Sequence, residues 1–253
     1  MVRGVPSVVF RHNLISHPPK NKDVVMHKTL GVLLYEQVQP LDVIGPWEVF
    51  AMWKNILGAP LQLCLIAETH SYITCDNDIV LKAHMDFTQA PPLDYLLIPG
   101  GRGRLNQVNH APLIAFIQQQ AVHCQYILSV CTGAFLLQAA GLLHEKSATT
   151  YWRALPELTA FHDTRVLEER IVKSGKIWTA GGVSSGIDLA LALIATVAGQ
   201  ETAGQVQLLL EYFPPNTRYC QKDTIHTLPP YRQGRGEIPA PLPAYIKKYL
   251  ESR

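Results

Sequence analysis

The sequence predicts an α/β protein in which helices flank a mostly parallel β-sheet. After Met26, short apolar runs alternate with longer segments of helical periodicity, a pattern typical of βαβ units. Hydrophobic residues make up 47% of the 253 residues and charged residues 17%, so the chain can bury a substantial core. This composition excludes a mainly disordered protein.

The first half of the chain predicts one helix among several strands. A buried strand is expected over residues 29–35, followed by a helix over residues 46–57. Gly45 is expected to cap this helix, because Pro46 suits its first position and Glu48 its first turn. Further strands are predicted at residues 61–67, 72–74, 79–83 and 94–98.

The second half predicts alternating helices and strands. A helix over residues 112–122, an apolar strand over 126–130 and a helix over 132–140 come first, the last ending at Gly141. The remaining predicted elements are a helix near residues 151–158, strands at 165–168, 171–173 and 176–180, and helices at 187–198 and 201–210.

The two ends of the chain differ from this body. Residues 1–28 carry five basic residues and one acidic residue, so we expect a flexible extension or an upstream start preceding Met26, with a targeting segment as the alternative. The domain itself is predicted over residues 29–213. Residues 214–253 hold seven of the 18 prolines, which favours an extended tail and excludes a helix-turn-helix reader.

Charge, hydropathy and cysteine content exclude several function classes. The formal net charge is +2 without a local basic patch, so no nucleic-acid partner is expected. No apolar run reaches the length of roughly 18 residues that a membrane-spanning helix needs. The five cysteines form no CxxC pair and the ten histidines are scattered, which predicts a cytoplasmic protein without a metal site.

Cys131 is the strongest candidate for a catalytic residue. It stands between a predicted strand and a predicted helix, at the carboxyl edge of the sheet where open α/β folds bind ligands. The amino end of a helix favours the thiolate, which is the nucleophilic form of cysteine. Gly133 permits a tight turn there, and Thr132 is expected to bind substrate or to cap the helix. A buried structural cysteine is the alternative.

Two other motifs reach the same edge of the sheet. Gly100 and Gly101 follow the strand over residues 94–98, and their backbone N–H groups are candidates for binding substrate or an oxyanion. Asp42 lies on the segment that leaves the first strand, where its carboxylate can meet Cys131. An ordinary glycine turn and a turn-forming aspartate are the alternatives.

Two motif matches are rejected. The glycines around Arg102 do not complete G-x-G-x-x-G, because Asn106 stands at its last position, so no nucleotide cofactor is expected. Residues 182–186 spell G-x-S-x-G, the turn that carries the nucleophile in serine hydrolases. Because the only histidine downstream is His226 in the tail, Ser184 or Ser185 is interpreted as a helix cap.

Ordered sequence matches over about residues 29–214 resemble the ThiJ/PfpI superfamily, and within it the isonitrile hydratases. The matching segments include LDVIGPWEVF at residues 41–50, LIPGG at 97–101, SVCTGA at 129–134 and TAGGVSSGID at 179–188. The resemblance implies a flavodoxin-like, class I glutamine-amidotransferase-like sandwich, a nucleophilic Cys131, a homodimer and no cofactor.

In the isonitrile hydratases, residues matching Asp42 and Thr132 act with the cysteine. The resemblance therefore implies a lyase that adds water to an organic isonitrile, a small-molecule substrate. Tyr151 stands where related sequences often carry histidine, and we expect it at the substrate pocket. A non-catalytic small-molecule or redox-sensing module, and a glyoxalase-like or deglycase-like enzyme, are the alternative functions.

Overall fold

The structure is a computed structural model that describes residues 27–69, 71–213, 220, 222–228, 231 and 241–251. Its strands are β1 (Lys28–Leu33), β2 (Leu61–Ala67), β3 (Tyr72–Thr74), β4 (Val80–Lys82), β5 (Met85–Asp86), β6 (Tyr95–Ile98), β7 (Tyr126–Val130), β8 (Ser147–Ala148), β9 (Arg165–Val166), β10 (Ile171–Ser174) and β11 (Ile177–Ala180). Its α-helices are α1 (Pro40–Asn55), α2 (Arg104–Gln107), α3 (Ala111–His123), α4 (Ala134–Ala139), α5 (Leu155–Thr159), α6 (Ser185–Val197), α7 (Gln200–Leu209) and α8 (Ala244–Glu251).

A seven-stranded sheet forms the centre of the molecule, in the order β10-β11-β7-β6-β1-β2-β5. Every pair in it is parallel except β10 with β11. All four residues of β6 and of β11 are buried, as expected for strands covered on both faces. One group of helices is α1, α6 and α7, which pack together, and α4 contacts both α2 and α3. The predicted α/β fold is confirmed.

The strand register places four chain segments at one edge of the sheet. Ile98 pairs with Ser129, so β6 and β7 end almost level, and Ala180 at the end of β11 pairs with Val130. The segments that follow are Pro99-Gly100-Gly101, Cys131 and Gly181, and the segment after β1 leads to α1. The carboxyl edge of the parallel sheet therefore brings the predicted site residues to one place.

The prediction for the first helix was wrong at its start. Helix α1 begins at Pro40 with Gln39 as its cap, six residues before the predicted start, and Pro46 lies inside it. Pro40 fits the first position because its fixed φ is helical and its missing N–H needs no partner there. Asp42, expected on a loop, therefore lies in the first turn of α1.

The predicted helices over residues 132–140 and 151–158 each begin as a 3₁₀ turn. Cys131–Gly133 forms such a turn before α4, and Trp152–Ala154 forms another before α5. Pro156 lies at the start of α5, where proline is tolerated.

The described parts of the C-terminal segment differ from the predicted extended tail. Residues 244–251 form α8, and Lys222–Thr227 form a 3₁₀ helix. At the other end, β1 already begins at Lys28, whereas residues 1–26 of the predicted extension lie outside the described residues.

Candidate active site

Cys131 stands at a sharp junction between β7 and the 3₁₀ turn that leads to α4, as the sequence predicted. Its φ of 56° is left-handed, a conformation that costs energy for a residue with a side chain. Two hydrogen bonds hold it: its N–H donates to Gly181 O at 2.8 Å, and its carbonyl accepts from Thr150 Oγ1 at 2.8 Å. The backbone of Cys131 is thereby fixed, and the residue is only 7% exposed.

Gly133 allows this junction to lie against the neighbouring strand. A Cβ placed on Gly133 would stand 2.2 Å from the carbonyl oxygen of Ile98, which ends β6. Because no side chain fits in this space, glycine is required for the close approach. The predicted role of Gly133 in a tight turn is confirmed.

Asp42 is fully buried in the first turn of α1. Its Oδ2 accepts the Gly100 N–H at 2.9 Å. Within the described part of the chain, Oδ1 is buried and has no partner in hydrogen-bonding geometry. A buried polar atom without a partner is costly, and in native structures it often marks a functional site.

Burial raises the pKa of Asp42 from 3.8 to about 8. The Gly100 N–H and the adjacent Cys131 thiol oppose this shift, and the negative charge of Asp76 adds to it. Because removal from water disfavours the charged form, the carboxyl is mainly protonated at neutral pH. Asp42 therefore carries a proton in the resting structure, beside the Cys131 thiol.

The pKa of Cys131 is also raised well above its usual value, first by burial and then by the charge of Asp42. Hydrogen bonds from the backbone and side chain of Thr132 oppose the shift. The stabilisation of a thiolate expected from the following helix is outweighed by this burial. The resting thiol therefore keeps its proton at neutral pH.

Thr132 joins the cysteine turn to the glycine loop. Its Oγ1 accepts the Gly101 N–H at 3.1 Å and lies 3.4 Å from Gly101 O. Gly100 N–H donates to Asp42, so both N–H groups that were expected to face substrate are already bonded to side chains. In this structure the glycine loop positions Asp42 and Thr132.

Tyr151 lies beside Cys131, together with a residue that the sequence analysis missed. A Cβ on Gly182 would stand 2.6 Å from Tyr151 Cδ2 and 3.3 Å from Cys131 Sγ. Only glycine leaves room between the ring and the sulfur. The glycine run after β11 is the available signal, although its pattern indicates the start of a helix.

Tyr35, Tyr231 and Tyr245 also belong to this region and were not predicted. The buried hydroxyl of Tyr35 donates to Pro99 O at 2.8 Å, which fixes the residue before Gly100. Tyr231 packs near Tyr151, and Tyr245 packs against the turn after β11. The last two come from the proline-rich segment, where no local pattern indicates a site.

The G-x-S-x-G segment contributes no nucleophile in the described structure. Ser184 precedes α6, its side chain makes no capping hydrogen bond, and its Oγ accepts from Arg170 Nη2 at 3.3 Å. The buried Ser185 Oγ donates to Gly181 O. The predicted capping role of these serines is therefore wrong, although Ser184 does stand at the cap position.

Among the described residues, no group of three histidine, cysteine, aspartate or glutamate side chains is arranged to hold a metal ion. The same residues contain no helix that combines the length and the apolar character needed to cross a membrane.

Comparisons of the sequence with known proteins point to one family. Residues 28–196 match the model of the DJ-1/PfpI family. The chain is 38% identical to isonitrile hydratase of Pseudomonas putida over 188 residues, which cover 73% of this chain and 78% of the relative.

Solved structures agree in fold. A ThiJ/PfpI family protein from Pseudomonas syringae matches with a TM-score of 0.70 and 26% identity, over 93% of this chain and 91% of that one. The DJ-1beta protein of Drosophila melanogaster matches with a TM-score of 0.66 and 20% identity, over 74% of this chain and 98% of that one. The sheet, the cysteine turn and the match over residues 28–196 lead to one conclusion: the chain belongs to the DJ-1/PfpI family.

Proposed function

We propose that this protein is a lyase that hydrates organic isonitriles to N-substituted formamides. The observation that carries the proposal is the fully buried Asp42 carboxyl beside the Cys131 thiol, where burial raises the pKa of both groups. The 38% identity to an isonitrile hydratase supports the same reaction.

An isonitrile suits this pair of groups because its terminal carbon must gain both a proton and a nucleophile. In the first step, Asp42 gives its proton to that carbon while the Cys131 sulfur forms a bond with it. The thiol proton passes to the carboxylate, which restores the acid. The product is a thioimidate, R–N=CH–S–Cys131, and no oxidant or reductant is needed.

Water completes the reaction in the second step. The water oxygen bonds to the thioimidate carbon, and Asp42 relays one water proton to the nitrogen. The C–S bond then breaks as the hydroxyl proton returns through Asp42 to sulfur. The products are R–NH–CHO and the free thiol, so the enzyme returns to its resting state with both protons in place.

The site disfavours the two alternative functions. Histidine is absent from the groups that shift the pKa of Cys131 in the described structure, whereas glyoxalase-like chemistry needs a proton-shuttling histidine. Redox sensing favours an exposed cysteine of low pKa, but Cys131 is buried and its pKa is raised.

The test is formation of N-cyclohexylformamide from cyclohexyl isocyanide by the purified protein. We expect Cys131→Ala and Asp42→Asn each to lower kcat/KM by at least a hundredfold, because one removes the bond to carbon and the other the proton donor. The matched control is Asp94→Asn, which changes an aspartate just before β6, at the opposite edge of the sheet, that binds Lys28. A loss of less than tenfold in either site variant would refute the proposal.

A further inference from the structure

Two tyrosines of the C-terminal segment lie next to the Cys131 site. The ring centroid of Tyr231 is 5.6 Å from that of Tyr151. The Tyr245 hydroxyl would stand 3.1 Å from a Cβ on Gly181, whose carbonyl accepts the Cys131 N–H. Both tyrosines are partly buried, so these two side chains pack onto the site.

Tyr231 is held from two sides by charged groups. The Arg153 guanidinium lies 5.3 Å from its ring centroid. Arg104, a buried guanidinium that donates to both Glu157 oxygens at 2.7 and 2.6 Å, lies close enough to oppose the rise in the Tyr231 pKa that burial causes. Because the bidentate ion pair fixes the guanidinium, the ring of Tyr231 has a defined position.

Tyr245 is held by the start of α8. The backbone N–H of Ala244 donates to Glu168 Oε2 at 2.8 Å, and Pro243 is buried. These contacts place Tyr245 over the turn after β11, which also carries Gly182 and so borders the Cys131 sulfur.

Electrostatic coupling agrees with this placement. Burial raises the pKa of Tyr231 and of Tyr245, and ionisation of Cys131 would raise both further. The same holds for Tyr151, although its neighbour Arg153 lowers the pKa. Three rings from separate parts of the chain therefore lie near Cys131, a residue that is 7% exposed.

We propose that Tyr151, Tyr231 and Tyr245 form an aromatic wall around Cys131 that selects isonitriles with a compact, apolar substituent on nitrogen. Ring faces bind apolar groups well, and the near closure of the thiol limits their size. The substrate class rests on the proposed function, whereas the wall rests on the contacts alone.

Alkylation of Cys131 tests the wall without any isonitrile. The rates of modification by compact N-ethylmaleimide and bulky N-pyrenylmaleimide are measured at the Cys131 peptide by mass spectrometry. We expect Tyr231→Ala and Tyr245→Ala to raise the rate of modification by N-pyrenylmaleimide at least tenfold. The rate with N-ethylmaleimide should rise less than threefold. Tyr231→Phe and Tyr245→Phe keep the ring, so their alkylation rates should match those of the unchanged protein.

Tyr249→Ala is the matched control, because Tyr249 lies on the same helix as Tyr245 but is 53% exposed. Circular dichroism establishes that each variant is folded. If folded Tyr231→Ala and Tyr245→Ala react with N-pyrenylmaleimide no faster than the unchanged protein, the aromatic wall is refuted.

Isonitrile turnover tests the selectivity. In the two Ala variants, kcat/KM for adamantyl isocyanide relative to isopropyl isocyanide should rise at least tenfold. An unchanged ratio contradicts selection by the wall. If the alkylation rates change but the unchanged protein turns over neither isonitrile, the proposed function and the substrate class fail while the wall stands.

Discussion

Replacing Asp42 by asparagine should abolish turnover and at the same time stabilise the fold. Burial raises the pKa of this carboxyl from 3.8 to about 8, so the native state retains a proton that the unfolded chain releases above pH 4. The difference penalises folding by about 4 kcal/mol at pH 7. Asparagine removes the penalty, because it is neutral and its oxygen can still accept the Gly100 N–H.

Urea denaturation between pH 5 and 7.5 measures this effect. In this window the native carboxyl is protonated and the unfolded one is not. As pH rises, retaining that proton costs more free energy, so the native state of the unchanged protein loses stability. The advantage of Asp42→Asn should therefore grow by about 1.4 kcal/mol per pH unit. It should approach zero below about pH 3, where both states are protonated.

Asp76→Asn should change the free energy of unfolding in the opposite direction. Asp76 is also buried, but both of its oxygens accept hydrogen bonds from Arg102, at 3.0 and 2.8 Å. Its carboxylate therefore has a positively charged partner. This variant should lose stability. If Asp42→Asn is no more stable than the unchanged protein at pH 7.5, or its advantage is independent of pH, the reasoning about a protonated Asp42 is refuted.

Three further predictions concern the same site. Because the protonated form of Asp42 is the acid, kcat/KM for isonitrile should fall as pH rises through about 8, and a profile that is flat to pH 9.5 would contradict this role. Gly182→Ala should lower kcat/KM at least tenfold by filling the space beside the sulfur, whereas Gly204→Ala, where a Cβ meets nothing within 4 Å, should not. Thr132→Val leaves the Gly101 N–H without its acceptor and should cost about 1–3 kcal/mol in urea denaturation, which Thr132→Ser should largely avoid.

The sequence was sufficient for the sheet and for the cysteine turn. Apolar runs such as residues 126–130 are unambiguous, and a glycine two residues after Cys131 indicates the close approach that the structure contains. The start of α1 was misplaced because two prolines compete as first helical residue, and only packing decides between Pro40 and Pro46. The error moved Asp42 from a loop to a helix but left it beside Cys131.

The protonation state and the aromatic wall could not be predicted. The pKa of Asp42 depends on complete removal from water, which the folded protein alone determines. Tyr231 and Tyr245 lie at least 100 residues after Cys131, in a segment whose prolines indicate an extended chain. Their placement depends on long-range contacts with Arg104 and Glu168, for which the local sequence carries no signal.

The most direct test of the central claim is the mass of the Cys131 peptide when turnover of cyclohexyl isocyanide is stopped by acid. Cysteine addition predicts an increase equal to one whole isonitrile molecule, on Cys131 and on no other cysteine, since addition expels no group. The adduct should be absent from Cys131→Ala, which should also produce no formamide. Turnover with an unmodified Cys131, or formamide production by Cys131→Ala, would contradict the mechanism.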